Sequence, residues 1–381
     1  MKKQVTNPNS REIRDLANKT VLNGFVLIIS LFCFSALSQD KGASPMAIND
    51  SLLHSWSRPY RQWIYYPGYV VDAGLEKKLH FEMVDGPNVY RHNDRWHMLY
   101  FGYDGKGYQS CLAVSEDLIH WRPAGLVMSY GEPHAFDHGG VVMVGPLFDD
   151  NNVQTPPRLK NWQDHYWVLY GCYPIQGGYE LGQGGQGLAW SEDGLKWNRY
   201  SKKVPILSIG KGAAWENRVI YSPCLIEHEG QFWNFYNAKG KNGKEQIGFA
   251  TSKDLISWKR YPDNPVIKNN ADGYDALLAA DAEIYRDKDH WVMFYFGASR
   301  NNPDQQVHAH TMVAFSYDLI HWRKHPEPIF KAGGHPQGLD NTHAHNISLI
   351  YNPENDTHYM FYCAVGDQGR GIGLLTSKPV E

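Results

Sequence analysis

The chain has 381 residues, 42% hydrophobic and 20% charged, with 37 basic against 40 acidic side chains and a formal net charge of −3. That length and apolar content can bury a large core, and the balanced charge excludes the basic stripe needed to track a nucleic-acid backbone. Aromatic residues make up 14%, beside 36 Gly and 21 Pro, a composition that suits many short strands joined by tight turns.

After a polar, basic start, residues 21–36 (VLNGFVLIISLFCFSA) form an apolar run ending in small residues. It is short for a bilayer span and reads as an export signal cleaved near Ser38 or Gln39, or else as an N-terminal anchor. Residues 1–39 are thus expected to be a signal peptide or anchor, 40–62 an extension and 63–381 the folded domain, and the protein is expected to be periplasmic or secreted. Five widely spaced Cys without a CxxC pair give neither a disulfide scaffold nor a zinc-thiolate site.

From residue 95 onward the chain repeats itself. Arg95-Trp96-His97-Met98-Leu99-Tyr100 returns as 165–170, 231–236, 290–295 and 357–362, each a strand with alternating aromatics. A second phrase, Asp117-Leu118-Ile119-His120-Trp121, returns at 193–197, 254–258 and 318–322; its Asp is expected to cap a turn and its Trp to fill the gap between neighbouring units. Repetition at about 60 to 75 residues predicts a ring of copies. The expected fold is all-β, a five-bladed β-propeller with units at about 84–130, 136–207, 217–268, 275–331 and 343–381. The fifth unit lacks the Asp-x-x-x-Trp turn, so a strand from 63–80 is expected to close the ring.

In a propeller the inner strands start around the central channel, so polar residues just ahead of them converge there. Asp85 precedes the first inner strand, and Asp137 and His138 the second. Trp215, Glu216 and Arg218 precede the third. Asp281 takes the position of Gly86 and Ser222 in the fourth, and Asp340, His343 and His345 precede the fifth. Carboxylates gathered at one cleft are what glycoside hydrolysis requires, one to protonate the leaving oxygen and one to activate water or attack the anomeric carbon. Arg218 could hold a substrate hydroxyl or carboxylate. The pairs His343/His345 and His308/His310 each put two imidazoles on one side of a segment, placed to bind a cation, move a proton or contact sugar. The long insertions 149–165 and 171–187, the latter Gly-rich, are expected to rim the mouth. HExxH, GxSxG, P-loop and dinucleotide fingerprints do not occur.

Through its DLIHW, DLISW and WHMLYFG phrases, the chain resembles over about residues 80–381 the five-bladed propeller glycosidases of glycoside hydrolase families 43, 62, 32, 68, 117 and 130. The resemblance implies Asp85 as general base or nucleophile. Asp137 fits the family 43 acid-tuning Asp loosely, but Ser222, not an acid, precedes Pro223, and Glu216 lies seven positions earlier. The family 117 pattern, with a histidine acid, implies Asp281 paired with His343 or His345. The catalytic candidates are therefore Asp85, Asp281, Glu216 and His343; the substrate-binding candidates are Asp137, His138, Trp215, Arg218, Asp340 and His308. The resemblance alone implies a divalent cation (Ca, Mg or Zn) in the channel near His345. It points to an exported, exo-acting and inverting glycosidase with an oligosaccharide partner, no nucleic acid or nucleotide, and room for a homodimer. A glycoside phosphorylase and a non-catalytic glycan-binding propeller are the alternatives.

Overall fold

The computed structural model describes residues 47–210 and 213–380, so the apolar run, its cleavage site and Cys33 lie outside the described residues. No described helix is long and apolar enough to cross a membrane.

Five antiparallel units follow one another. The first comprises strands Met83–His92, Arg95–Tyr103, Tyr108–Ser115 and Arg122–Met128, and the second Gly140–Pro146, His165–Tyr173, Gly185–Ser191 and Asn198–Arg199. The third runs Val219–His228, Gln231–Lys239, Glu245–Ser252 and Lys259–Arg260; the fourth Leu278–Asp287, His290–Ser299, His308–Ser316 and Arg323–Lys324. The fifth has His343–Asn352, Thr357–Gly366 and Gly369–Thr376, to which Ile64–Tyr65 adds an outer strand through Ile64↔Thr376 and Tyr65↔Leu375. The repeated aromatic phrase is the second strand of every unit, buried on both faces because a neighbouring unit covers each side.

The strand order is cyclic, but the expected ring closed by an N-terminal strand is corrected by the pairing. The described strands form two open sheets, one of nine strands (units one and two) and one of twelve (units three to five with Ile64–Tyr65), and neither closes into a ring. Within each sheet one parallel residue pair joins successive units, Tyr108↔Gly140, Glu245↔Leu278 and Ala309↔His343. At the other two seams units meet through side chains and isolated bonds. Gln186 donates to the Tyr221 carbonyl at 2.8 Å where unit two meets unit three, and the Val89 amide donates to Ser348 Oγ at 3.1 Å where unit one meets unit five. The N-terminal strand completes unit five and pairs with no strand of unit one. Nor are the described residues wholly β: helix Asp50–Ser57, capped by Asn49, packs Trp56 flat on His290 of unit four at 3.9 Å between ring centroids.

The Asp-x-x-x-Trp phrase is a turn. Asp117 Oδ1 accepts from the amides of Ile119 and His120 at 2.9 and 2.8 Å, Leu118 takes a φ of +69°, and the Trp121 indole donates to the Leu118 carbonyl. Asp254 and Asp318 repeat the pattern. Trp121 packs against Phe361 of unit five and Trp322 of unit four against Phe235 of unit three, filling the gaps between units. The four cysteines among the described residues are buried and free.

Candidate active site

The inner strands of units one, three, four and five each carry a bulge near the axis, where the register with the second strand slips. A bulge re-aims the residues it contains. Gly86, Asp281 and Asn346, at φ +61°, +47° and +50°, are the left-handed residues of three of these bulges. A Cβ on Gly86 would stand 2.3 Å from Phe101 Cε1, so this position admits only glycine. The bulges turn Asp85, Asp281 and Asn346 into one cavity of about 300 Å³, which Tyr108, Tyr173, Glu180, Tyr221, Lys239, Glu245, His345 and Arg370 also line.

Asp85 is fully buried. Its Oδ1 accepts from the Gly86 amide at 2.6 Å and from Asn346 Nδ2 at 3.1 Å, and Arg370 Nη2 bonds its Oδ2. Burial alone would raise its pKa, but Arg370, then His345, outweigh burial and hold the carboxyl below the usual range. Asp281 goes the other way, pushed up to about 8 by burial and then by Asp85 and Glu245. Glu180 rides on the Gly-rich loop between the second and third strands of unit two. It is wetted by the cavity yet walled by protein, and desolvation, then Glu245, push it up to about 7. Glu245 opens the third strand of unit three, where Lys239, its cross-strand partner, reaches it at 2.6 Å and Asn237 Nδ2 donates to it at 3.0 Å.

The loop of Glu180 is pinned at two points, the Gly177 amide on the Lys106 carbonyl at 2.9 Å and Gln176 on the His138 carbonyl at 3.1 Å. Tyr179, next to the acid, is 54% exposed, with its ring against Tyr103 at 4.4 Å between centroids.

Of the residues singled out from sequence, Asp85, Asp281 and His345 come together in this cavity. Asp137, Glu216 and Asp340 do not line it; they belong to a second, repeated arrangement. Glu216 is buried, accepts from Tyr236 OH at 2.9 Å and pairs with Arg260 Nε at 2.9 Å, while Arg260 Nη2 reaches the Ser208 carbonyl. Asp137 pairs with Arg199, which reaches the Ser129 carbonyl, and Asp275 with Lys324 and Tyr295. Asp340 accepts from Tyr362 OH at 3.2 Å and the His335 amide at 2.9 Å. Each of these acids is held by partners from its own surroundings, as a buried carboxylate must be.

The remaining candidates stand outside the cavity lining. His138 turns Nδ1 to the Gly131 carbonyl, Trp215 stacks on Tyr236, and Arg218 is exposed. His308 bonds Asp304 at 2.7 Å. His343 Nδ1 accepts from the Ala309 amide, and burial pushes its pKa down to about 4, which leaves it neutral and a weak proton donor near pH 7. Sequence reading passed over Glu180, Glu245, Lys239 and Arg370. Glu180 had one signal, a single acid beside Tyr179 within the Gly-rich insertion already placed at the rim.

No curated protein matches the chain. The model of the glycosyl hydrolases family 32 N-terminal domain matches residues 209–339. A solved structure, named as a complex of BT0996 with RGII, is 30% identical and superposes with a TM-score of 0.74, covering 86% of this protein and 95% of that one. The chain belongs to the clan of five-bladed β-propeller glycoside hydrolases. A second structure, named "Glycoside hydrolase", matches this enzyme at 26% identity and TM-score 0.74 over 88% of this protein and 97% of that one. Zg3597, a family 117 glycoside hydrolase produced by the marine bacterium Zobellia galactanivorans, shares the fold at 12% identity and TM-score 0.58, over 83% and 89%.

The cation that the clan resemblance implies can be tested against this glycoside hydrolase's own side chains. Asp85, His345 and Cys363 bring three ligand-type atoms within 4.8 Å of one another, and the buried His345 Nδ1 has no hydrogen-bond partner. Arg370, however, already bonds two of the three, donating through Nη2 to Asp85 and through Nε to Cys363 Sγ at 3.3 Å. Three ligand types are therefore present, but with the guanidinium in place they do not fit a resident divalent ion.

Proposed function

We propose that this glycoside hydrolase acts on the ends of oligosaccharides, with Glu180 as general acid and Glu245 as the carboxylate that activates water. One observation carries the assignment: two carboxyls facing one cavity stand in opposed environments. Glu180 holds its proton to about pH 7, while Glu245 is locked to an ammonium. Asp281, protonated at neutral pH, would donate to a sugar hydroxyl, and the ionised Asp85 would accept from one. A cavity of about 300 Å³ lies at the small end of ligand pockets, which run about 300–1,000 Å³, and suits one terminal sugar better than a threaded polysaccharide. Lys239 and Arg370 are both engaged by carboxylates, which leaves them poorly placed to hold the phosphate that phosphorolysis needs. Attack by water activated at Glu245 would invert the anomer. We place the enzyme outside the cytoplasm on the strength of the apolar run at 21–36.

The test is product formation from RGII oligosaccharides, RGII being named with the 30% identical structure, and from agar, carrageenan, arabinan, xylan and mannan oligosaccharides, with the first anomer followed by NMR. Release of one terminal sugar, independent of phosphate and with inverted configuration, is expected. Internal cleavage or a phosphate requirement would overturn the reading.

Because the acid protonates the leaving oxygen, the sugar carrying that oxygen must lie beside Glu180, where Tyr179 presents an open ring face backed by Tyr103. Tyr179→Ala is expected to lower kcat/KM for the oligosaccharide by about tenfold, the scale of one aromatic contact of about 1–1.5 kcal/mol, and to leave the methyl glycoside of the released sugar nearly unaffected. Equal losses on both substrates would show that the ring supports the loop only.

A further inference from the structure

We propose that Arg370 is the built-in cation of the axial site: its guanidinium fills the place a metal ion would take between Asp85 and Cys363, so the enzyme works without a metal and holds a latent metal site closed. Arg370 lies on the last strand of unit five and Asp85 on the first strand of unit one, at a seam that no sheet hydrogen bonds cross. Asp85 is fully buried and needs a compensating charge. Arg370 supplies it through Nη2, while its Nε engages Cys363 Sγ at 3.3 Å. Asn346 takes the other oxygen of Asp85 at 3.1 Å, leaving that carboxylate fully subscribed.

A metal entering between these atoms would compete with the guanidinium for the same lone pairs and meet its positive charge at close range. Arg is suited to this post because it stays charged and its planar fork fixes the carboxylate's direction, as a metal would. The feature left over is His345 Nδ1, buried, within the same 4.8 Å cluster and without a partner. With Arg370 removed, an Asp, His and Cys set of borderline softness would remain, a donor set that favours Zn²⁺ or Co²⁺ over Ca²⁺ or Mg²⁺.

The experiment titrates CoCl₂ into full-length wild type, Arg370→Met and Arg370→Met/Cys363→Ser, and reads the thiolate-to-cobalt charge-transfer band, which surface histidines cannot produce. Wild-type thermal stability and turnover are measured in parallel with and without EDTA. Wild type is expected to show no band and no response to EDTA; Arg370→Met should gain a band at one equivalent of Co²⁺, absent when Cys363 is also replaced. A Cys363-dependent band in wild type, or EDTA inactivation reversed by a divalent ion, would overturn the proposal, as would a folded Arg370→Met without a band. Should Arg370→Met fail to fold, the wild-type cobalt and EDTA results decide. Loss of sugar release in Glu180→Gln bears on the acid assignment alone and leaves this test standing.

Discussion

Replacing Glu180 with Gln is expected to lower kcat on the oligosaccharide by about 10²- to 10⁴-fold, the usual worth of a positioned general acid, with a much smaller change in KM. The amide keeps the size of the side chain but has no proton to give to the leaving oxygen. The pH profile carries the sharper signature. A general acid must be protonated, and Glu180 is pushed up to about 7, so wild-type kcat/KM should hold below that pH and fall as pH rises through it. Glu180→Gln should lose that limb and expose a second one near 8, where Asp281 gives up its proton. An unchanged limb near 7 in the variant would remove Glu180 from the role of acid.

Arg260→Ala is expected to destabilise the fold by about 3–5 kcal/mol, the cost of leaving a buried charge without its partner, while turnover per folded molecule stays within about twofold. Glu216 is almost fully buried and would keep only the Tyr236 hydroxyl, at 2.9 Å. Arg260 also spans to the Ser208 carbonyl, so its loss frees the segment entering unit three. Arg260→Lys should recover part of the stability. Chemical denaturation reads the first quantity and active-site titration the second; a large fall in kcat with unchanged stability would return Glu216 to the catalytic group.

The same contrast shows what was legible in the residues. The repeated phrases gave the five units, and counting back from Trp96, Phe232 and Trp291 put Asp281 in register with Gly86 and Ser222, in the bulges that line the site. Asp137, Glu216 and Asp340 drew attention for the same reason, because an acid ahead of an inner strand looks alike whether it faces the axis or its own unit. Their partners were also written in the repeat. A Tyr ends each aromatic phrase (Tyr170, Tyr236, Tyr295, Tyr362), and a cation stands two residues beyond three of the Trp (Arg199, Arg260, Lys324). An acid that recurs with its own Tyr and cation is bound for that cluster. Glu180 and Glu245 belong to no repeat. One depends on where a Gly-rich loop is pinned, the other on a hairpin that sets it opposite Lys239. The expected closure by the N-terminal strand failed for a related reason: the open edge of unit five was real, but units one and five meet through side chains such as Asp85 and Arg370 instead of a shared ladder.

The most direct test of the account compares single-turnover rates of Glu245→Gln and Glu216→Gln with wild type on the oligosaccharide that wild type cleaves, at matched concentrations of folded protein. Glu245→Gln should be slowed by at least about 10²-fold while remaining folded, and Glu216→Gln, though less stable, should turn over near the wild-type rate. The reverse order, with Glu216→Gln inactive and Glu245→Gln competent, would contradict the placing of the chemistry in the Glu180–Glu245 cavity.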